Sequence, residues 1–382
     1  MSKAAELAAL IANVNNGSSL ANKNFIINGA MTVAQRGTSS TSSGMHTVDR
    51  TKLIYGGTDN APTQAQVDVA SGTTPYTLGL RKAFKVTNAN QSSGAGAADY
   101  IQYEQAIEAQ NVHQSGWDST STSSFITMSF WIKSSVARTF QGSLRVDDST
   151  KIYNWNTGAL SADTWTKVTK TISGASGVTI NNDNGTGLQW ILWPYIGTNY
   201  TGGGTSDAWK AHDSNDWAAS SDNTTWYTTN NATCEITGLM IEVGEKATEF
   251  EHEPYEATLR KCQRYYYRSL DDAAYGMLGG SFMRGAYDKV KGAVEYAVEM
   301  RARPAVSCIG TNAGAWVAQQ GDATISGTIG FSDAWAAGGD KQRIWITFEG
   351  ATNGTEGYAV TMYRNNRSVG DGSACLQFDS EL

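Results

Sequence analysis

The chain has little of what most chemistry needs. Four cysteines in 382 residues, Cys234, Cys262, Cys308 and Cys375, stand too far apart for a metal knuckle or a redox pair. They read as reduced, mostly buried thiols of a protein made in the cytoplasm. Charged residues make up only 17%, with a net charge of −7. Without a basic patch the phosphates of a nucleic acid would be repelled, so no nucleic-acid partner is expected. No apolar run approaches the roughly 20 residues that span a bilayer, and no membrane insertion is expected. Glu6 interrupts the short apolar run at the N-terminus, which lacks the basic start of a secretory signal.

Motifs for catalysis are equally scarce. There is no Gly-x-Ser-x-Gly elbow, and His46, His113, His212 and His252 have no partner at a telling spacing. Gly202 to Gly204 lacks the lysine and the strand–helix context of a nucleotide loop. Asn181 to Gly185 is rich in oxygen ligands, but its glycine is misplaced for an EF-hand, and Asx-rich turns usually bond their own backbone. No metal, cofactor or catalytic residue is therefore assigned. Paired carboxylates for glycoside hydrolysis need no sequence motif. Glu104, Glu108 and the Glu249, Glu251, Glu253 group fit that description only nominally, and solvated charge explains them better.

What is abundant is Gly, Ser, Thr and Asn, a composition suited to short strands and many turns. Residues 1–23 are the exception. Leu7, Leu10, Ile11 and Val14 form a helical stripe, read as a short helix for anchoring or oligomerisation. From about Asp49 to Glu253 strand patterns succeed one another. In Phe125 to Lys133, Ile126, Met128, Phe130 and Ile132 alternate with polar neighbours, as expected of a half-buried strand. Leu188 to Ile196 is apolar on both faces, which predicts a strand buried deep in a two-sheet antiparallel sandwich. Leu239, Ile241 and Val243 end this region on a last strand, and Gly244 breaks it. Pro254 then opens an expected helix with Tyr255, Leu259, Cys262 and Tyr266 on one stripe. Beyond it, Val290 to Met300, Ile344 to Phe348 and Tyr358 to Met362 alternate as strands of a small C-terminal β-sandwich or knob.

Several of these segments carry motifs. Asn24-Phe-Ile-Ile-Asn-Gly-Ala-Met-Thr-Val-Ala-Gln-Arg-Gly37 resembles an entry segment, and Ile236-Thr-Gly-Leu-Met-Ile-Glu-Val-Gly244 resembles a closing strand, of a jelly-roll module in bacteriophage tail-fibre and receptor-binding proteins. Ala247-Thr-Glu-Phe-Glu251, Pro254-Tyr255 and Cys262-Gln-Arg-Tyr-Tyr266 continue the match, which departs from the pattern at Met240 and Glu249. Gln105 to Glu108, Met128 to Lys133 and Thr164 to Val168 resemble its internal strands, so the likeness covers residues 24–268. After the joint, Met300 to Val306 resembles a further segment of the same fibres.

The resemblance implies a carbohydrate-binding-module-like jelly-roll, a homotrimer, and a place in the virion beside other tail proteins. The fold expected is thus all-β: an N-terminal helix (1–23), a jelly-roll sandwich with its entry segment (24–253), a connecting helix (254–268) and a C-terminal β domain (269–382). The function expected is attachment of a tailed phage to host surface polysaccharide or lipopolysaccharide. A head-fibre, decoration or adaptor protein without receptor contact, and a polysaccharide depolymerase, are the alternatives. Thr198 to Asn231 is too long for a plain connection and rich in aromatic residues, which suit the apolar faces of sugar rings. Tyr200, Trp209, Trp217 and Trp226 are its candidate glycan contacts, with Trp316 and Trp335 competing from the C-terminal domain. Folding back over a sheet edge is the alternative for each ring.

Overall fold

Alternation of apolar and polar side chains along most of the strands between Ser39 and Val243 builds two stacked sheets. The computed structural model describes residue 3 and residues 23–202, 204, 206–221, 224–269, 277–309, 316–321, 323–332, 338–364 and 375–382. The stripe of Leu7, Leu10, Ile11 and Val14, and the candidate Trp335, lie outside the described residues. The chain divides into two units, Met1–Thr258 with Leu382, and Leu259–Glu381.

The first unit contains β1 (Ser39–Ser40), β2 (Lys52–Gly56), β3 (Thr63–Asp68), β4 (Lys82–Thr87), β5 (Tyr100–Glu108) and β6 (Phe125–Ser134). It continues with β7 (Thr139–Val146), β8 (Lys151–Ala159), β9 (Thr166–Ser173), β10 (Thr186–Ile196), β11 (Trp209–Ala211) and β12 (Thr233–Val243). Sheet one has the order β1-β3-β4-β12-β6-β9, and sheet two the order β11-β8-β7-β10-β5-β2. All pairings are antiparallel. The result is the antiparallel all-β sandwich expected.

Its core is aromatic where the sheets meet. Phe130 of sheet one packs edge-on against Trp190 and Trp155 of sheet two, with ring centres 5.3 and 5.7 Å apart. Phe84 meets Tyr103 in the same way at 5.2 Å, and the Tyr103 hydroxyl donates to the Cys234 carbonyl at 2.7 Å. A side chain at Gly142 would place its Cβ 2.1 Å from the Trp155 ring, so the indole lies flat where that strand has no substituent.

The two long motifs meet in space. Asn24 accepts from the Ile241 amide at 3.0 Å and donates to the Leu239 carbonyl at 3.2 Å, and Phe25 N–H donates to Ile241 O at 2.9 Å. The entry segment thus pairs with the closing strand beyond the point where β4 stops. Asn28 adopts φ +62, and its amide spans to the Val33 and Asp49 carbonyls at 2.9 and 3.0 Å. The next residue must be glycine, because a Cβ on Gly29 would stand 2.0 Å from the Leu239 carbonyl oxygen. Gly238, at φ +63, sits in a bulge that lets both Ile236 and Leu239 reach the core despite their odd spacing.

The helix expected after Pro254 runs over Tyr255–Gln263. It ends before Tyr266, which belongs to a strand, and Tyr255 remains half exposed. Strands of the second unit are β13 (Tyr266–Arg268), β14 (Met277–Arg284), β15 (Val290–Glu295), β16 (Ala305–Ile309) and β17 (Trp316–Gln320). They continue with β18 (Ala323–Ser332), β19 (Gly338–Gly339), β20 (Arg343–Glu349), β21 (Ala359–Arg364) and β22 (Cys375–Asp379). β13, β22 and β16 form a small sheet. The larger one, β15-β14-β21-β17-β18-β20-β19, closes on itself because β15 also pairs with β20. Closure removes the exposed edges that the small sandwich expected from periodicity would have had. At the end of β14 the buried Arg284 guanidinium donates to the carbonyls of Gly285, Lys289, Asn353 and Ala351 at 2.7–3.1 Å, and to that of Tyr287.

Candidate functional site

Strand β10 shows why the long polar segment after it matters. Leu188, Trp190, Leu192 and Tyr195 point into the sandwich core. Ile191, Trp193 and Ile196 point the other way, onto the outer face of sheet two, and are nonetheless buried. Burial on both faces was legible in the sequence, but its cause differs from the expected one. The outer face is covered by the chain's own strap, with Tyr200, Trp217 and Ala218 packed over it beside Tyr100.

Main-chain and side-chain bonds fasten this strap. Asp207 N–H donates to Asn154 O at 2.8 Å, His212 N–H to Thr150 O at 3.0 Å, and Trp217 N–H to Tyr200 O at 2.8 Å. The Ser143 hydroxyl donates to the Trp217 carbonyl, and the Gln141 amide donates to the Ser220 hydroxyl at 3.0 Å. Lys210 pairs with the buried Asp216 at 2.5 Å. These bonds hold the described residues of the segment as a layer on sheet two.

The layer carries a small aromatic cluster. Trp217 meets Trp193 edge-on at 6.1 Å, and Tyr100 touches both Trp193 at 6.4 Å and Tyr200 at 5.6 Å. Tyr200 and Trp217 are only partly buried. The Arg145 guanidinium lies 5.3 Å from the Trp217 ring centre, donates to Gln189 at 3.0 Å and pairs with Asp147 at 2.5 Å. Burial raises the Asp147 carboxyl above its ordinary range, with Arg145 opposing the shift. The His212 ring stands 4.3 Å from Trp217. Burial, and then the nearby Arg145 charge, hold its pKa below the usual histidine value, while Asp213 and Asp216 pull it the other way. Further along the same face, Glu104 is bonded by Lys52 at 3.1 Å and Gln102 at 2.8 Å. A partly exposed indole beside a fixed guanidinium can stack on the apolar face of a ring while hydrogen-bonding its hydroxyls.

Of the sequence candidates, the fold brings together Tyr200 and Trp217. Trp209 lies at the edge of the main core, against Tyr153 at 5.4 Å, with its indole N–H bonded to Ser173 O at 2.8 Å. Trp226 is fully buried, its N–H on Thr233 O at 3.1 Å, and Trp316 is buried in the core of the second unit. Neither of these rings presents a face to a ligand; both are packing residues. Sequence reasoning missed Arg145, His212 and Tyr100, which lie on other strands or look like ordinary polar residues. It also missed the solvent-facing Tyr287, Tyr358 and Trp345 of the second unit. Three histidines bond main-chain carbonyls: His46 that of Ser43, His113 that of Ile180 and His252 that of Leu78, at 2.8–3.1 Å.

No family model matches the chain, and no curated protein matches it. Solved structures do. The enzymatically active domain of bacteriophage CBA120 tailspike protein 4 matches at a TM-score of 0.31 and 11% identity, covering 58% of this chain and 22% of that one. The match thus spans about a fifth of the length of that solved domain. The CBM22-1 xylan-binding domain of Paenibacillus barcinonensis Xyn10C matches at a TM-score of 0.26 and 10% identity, over 55% of this chain and 94% of that one. The family 11 carbohydrate-binding module of Clostridium thermocellum, solved with a mixed-linked tetrasaccharide, matches at 0.26 and 11%, over 56% and 98%. At these TM-scores none of the three assigns an activity or a ligand.

Proposed function

We propose that the protein is a glycan-binding fibre component of a tailed-phage virion, and that the strap on sheet two holds the contact. The observation that carries the glycan reading is the placement of Trp217. Its ring is backed by Trp193 and His212, flanked by Arg145, and left partly open. An aromatic platform fixed before binding loses little conformational freedom when a sugar docks. Tyr200 extends the platform. The virion reading rests on the sequence motifs between Asn24 and Tyr266 and their order. In this proposal residues 1–23 anchor the chain or join it as a homotrimer, and three copies turn weak sugar contacts into avidity. Polysaccharide is bound without being cut.

The test uses purified protein on an array of bacterial capsular polysaccharides and lipopolysaccharides. Saturable binding that is lost in Trp217→Ala, with no release of reducing sugar, supports the proposal. Binding that survives Trp217→Ala removes the site, and release of reducing sugar makes the protein a depolymerase.

A further inference from the structure

The pairing that closes the barrel of the second unit also builds a platform on its outer face. Val294, Ile344 and Ile346 of β15 and β20 face the core, and the residues that alternate with them face outward. Register sets Trp345 opposite Ala293 of β15 on one side and opposite Gly338 of β19 on the other, with Ser281 of β14 beyond Ala293. Trp345 is thus the one bulky side chain in a row of four. Such small neighbours cannot cover an indole, and the ring is 44% exposed, whereas Trp316 of the same unit is buried. A tryptophan held on a closed sheet with an uncovered ring is a ready surface for the apolar face of a sugar.

The two sides of this platform differ in charge. On one side Arg343 stands opposite Glu295 in register, both exposed, so the charges there balance. On the other side Lys291 lies between Met283 and Thr347, a row without a carboxylate. Glu349, two residues beyond Thr347, is already paired with Lys289 at 3.0 Å. Lys291 therefore brings an uncompensated positive charge to the edge of the Trp345 platform. The rest of the unit does not oppose an anion. Residues 259–381 carry 13 Lys and Arg against 13 Asp and Glu, so the net charge of −7 belongs to the first unit.

We propose that this face of the second unit binds a hexuronic acid unit of an acidic polysaccharide, the C–H face of the sugar on Trp345 and its carboxylate on Lys291. Lys291 lies one strand over and two residues along from Trp345, about 8 Å between their Cα atoms, so its side chain reaches the edge of a ring stacked on the indole. Arg343 and Glu295 supply a donor and an acceptor for hydroxyls on the opposite edge. The carboxylate, which a neutral hexose lacks, is what the unbalanced lysine selects. The site is argued without the strap and adds a ligand class that the strap does not specify. An exposed ion pair contributes modestly, so about three- to fivefold preference over the neutral sugar is expected.

Fluorine NMR on the full chain labelled with fluorotryptophan tests it, the Trp345 resonance being the one missing from Trp345→Phe. Titration with methyl glucuronide and methyl galacturonide should shift that resonance saturably, at millimolar concentration. Methyl glucoside and methyl galactoside, the same rings without the carboxylate, should bind about three- to fivefold more weakly. Lys291→Glu should remove the preference, and Lys291→Arg should keep it, with the thermal transition unchanged in both because the position is partly exposed. The Trp217 resonance in the same spectra reports the strap separately, so failure of one platform is not failure of the other. No shift of the Trp345 resonance with either uronide, equal affinity for uronides and neutral glycosides, or an unchanged preference in Lys291→Glu would each overturn the proposal. So would a shift of that resonance with protein concentration alone, which would put a second copy of the chain on this face.

Discussion

The Arg145 guanidinium stands 5.3 Å from the centre of the Trp217 ring, held there by Asp147 and Gln189. Arg145 on β7, Gln189 on the adjacent β10 and Asp147 in the turn after β7 thus brace a ring on a segment whose described residues include one short strand, β11. Truncating that ring should affect binding more than stability. For Trp217→Ala, glycan affinity is expected to fall at least tenfold, about 1.4 kcal/mol. Titration of polysaccharide against the variant, with its melting curve, separates the two effects.

Trp226→Ala should behave in the opposite way. Its ring is buried between strands and its N–H is bonded, so removal leaves a cavity costing about 3–5 kcal/mol. Denaturant unfolding should show that loss, while the remaining folded protein binds glycan normally.

His212 gives the strap a pH dependence. Its folded pKa is depressed below 6.5, so its contribution to stability is present above that value and is lost as pH falls through the folded pKa. A charged imidazole would stand beside Arg145 and in a partly buried place. Thermal stability should therefore decline below about pH 6.5, and His212→Gln should flatten that part of the profile. An NMR titration of the ring reads the same shift directly.

The first motif makes a backbone prediction. Gly29→Ala drives a methyl group against the Leu239 carbonyl oxygen and should cost roughly 3 kcal/mol, the upper end for overpacked sites. Chemical denaturation of the variant measures it. Such a requirement explains the Asn-Gly pair of the motif: Asn28 supplies the left-handed turn and the carbonyl bridges, and Gly29 supplies the space.

In the second unit, Arg284→Lys removes a fork that reaches five carbonyls, and a lysine cannot replace its geometry. With buried acceptors left unpaired, the loss should be about 3 kcal/mol or more. Because the two units have separate cores, calorimetry should show one transition lowered and the other unmoved.

Much of the fold was readable because alternation is local. Ile126, Met128, Phe130 and Ile132 announce both a strand and its buried face, and the Ile236 motif announces the closing strand, whereas its pairing with the Asn24 segment emerges only in the structure. Ring closure of the second unit was not readable, since the pairing of β15 with β20 joins residues about fifty positions apart and leaves no periodic trace. The candidate site was half readable. A run of tryptophans in polar sequence signals aromatic packing, but Trp217 at the surface and Trp226 in the core have the same local composition. Only the register of the strap on β7, β8 and β10 tells them apart. Arg145 was invisible for the same reason: its role comes from its neighbours on the sheet.

The most direct measurement is the affinity of the purified chain for arrayed bacterial surface polysaccharides, wild type against Trp217→Ala. Saturable binding by the wild type is expected, with at least a tenfold loss in a variant that melts within a few degrees of it. Equal affinities, or no binding by the wild type to any bacterial surface glycan, would contradict it.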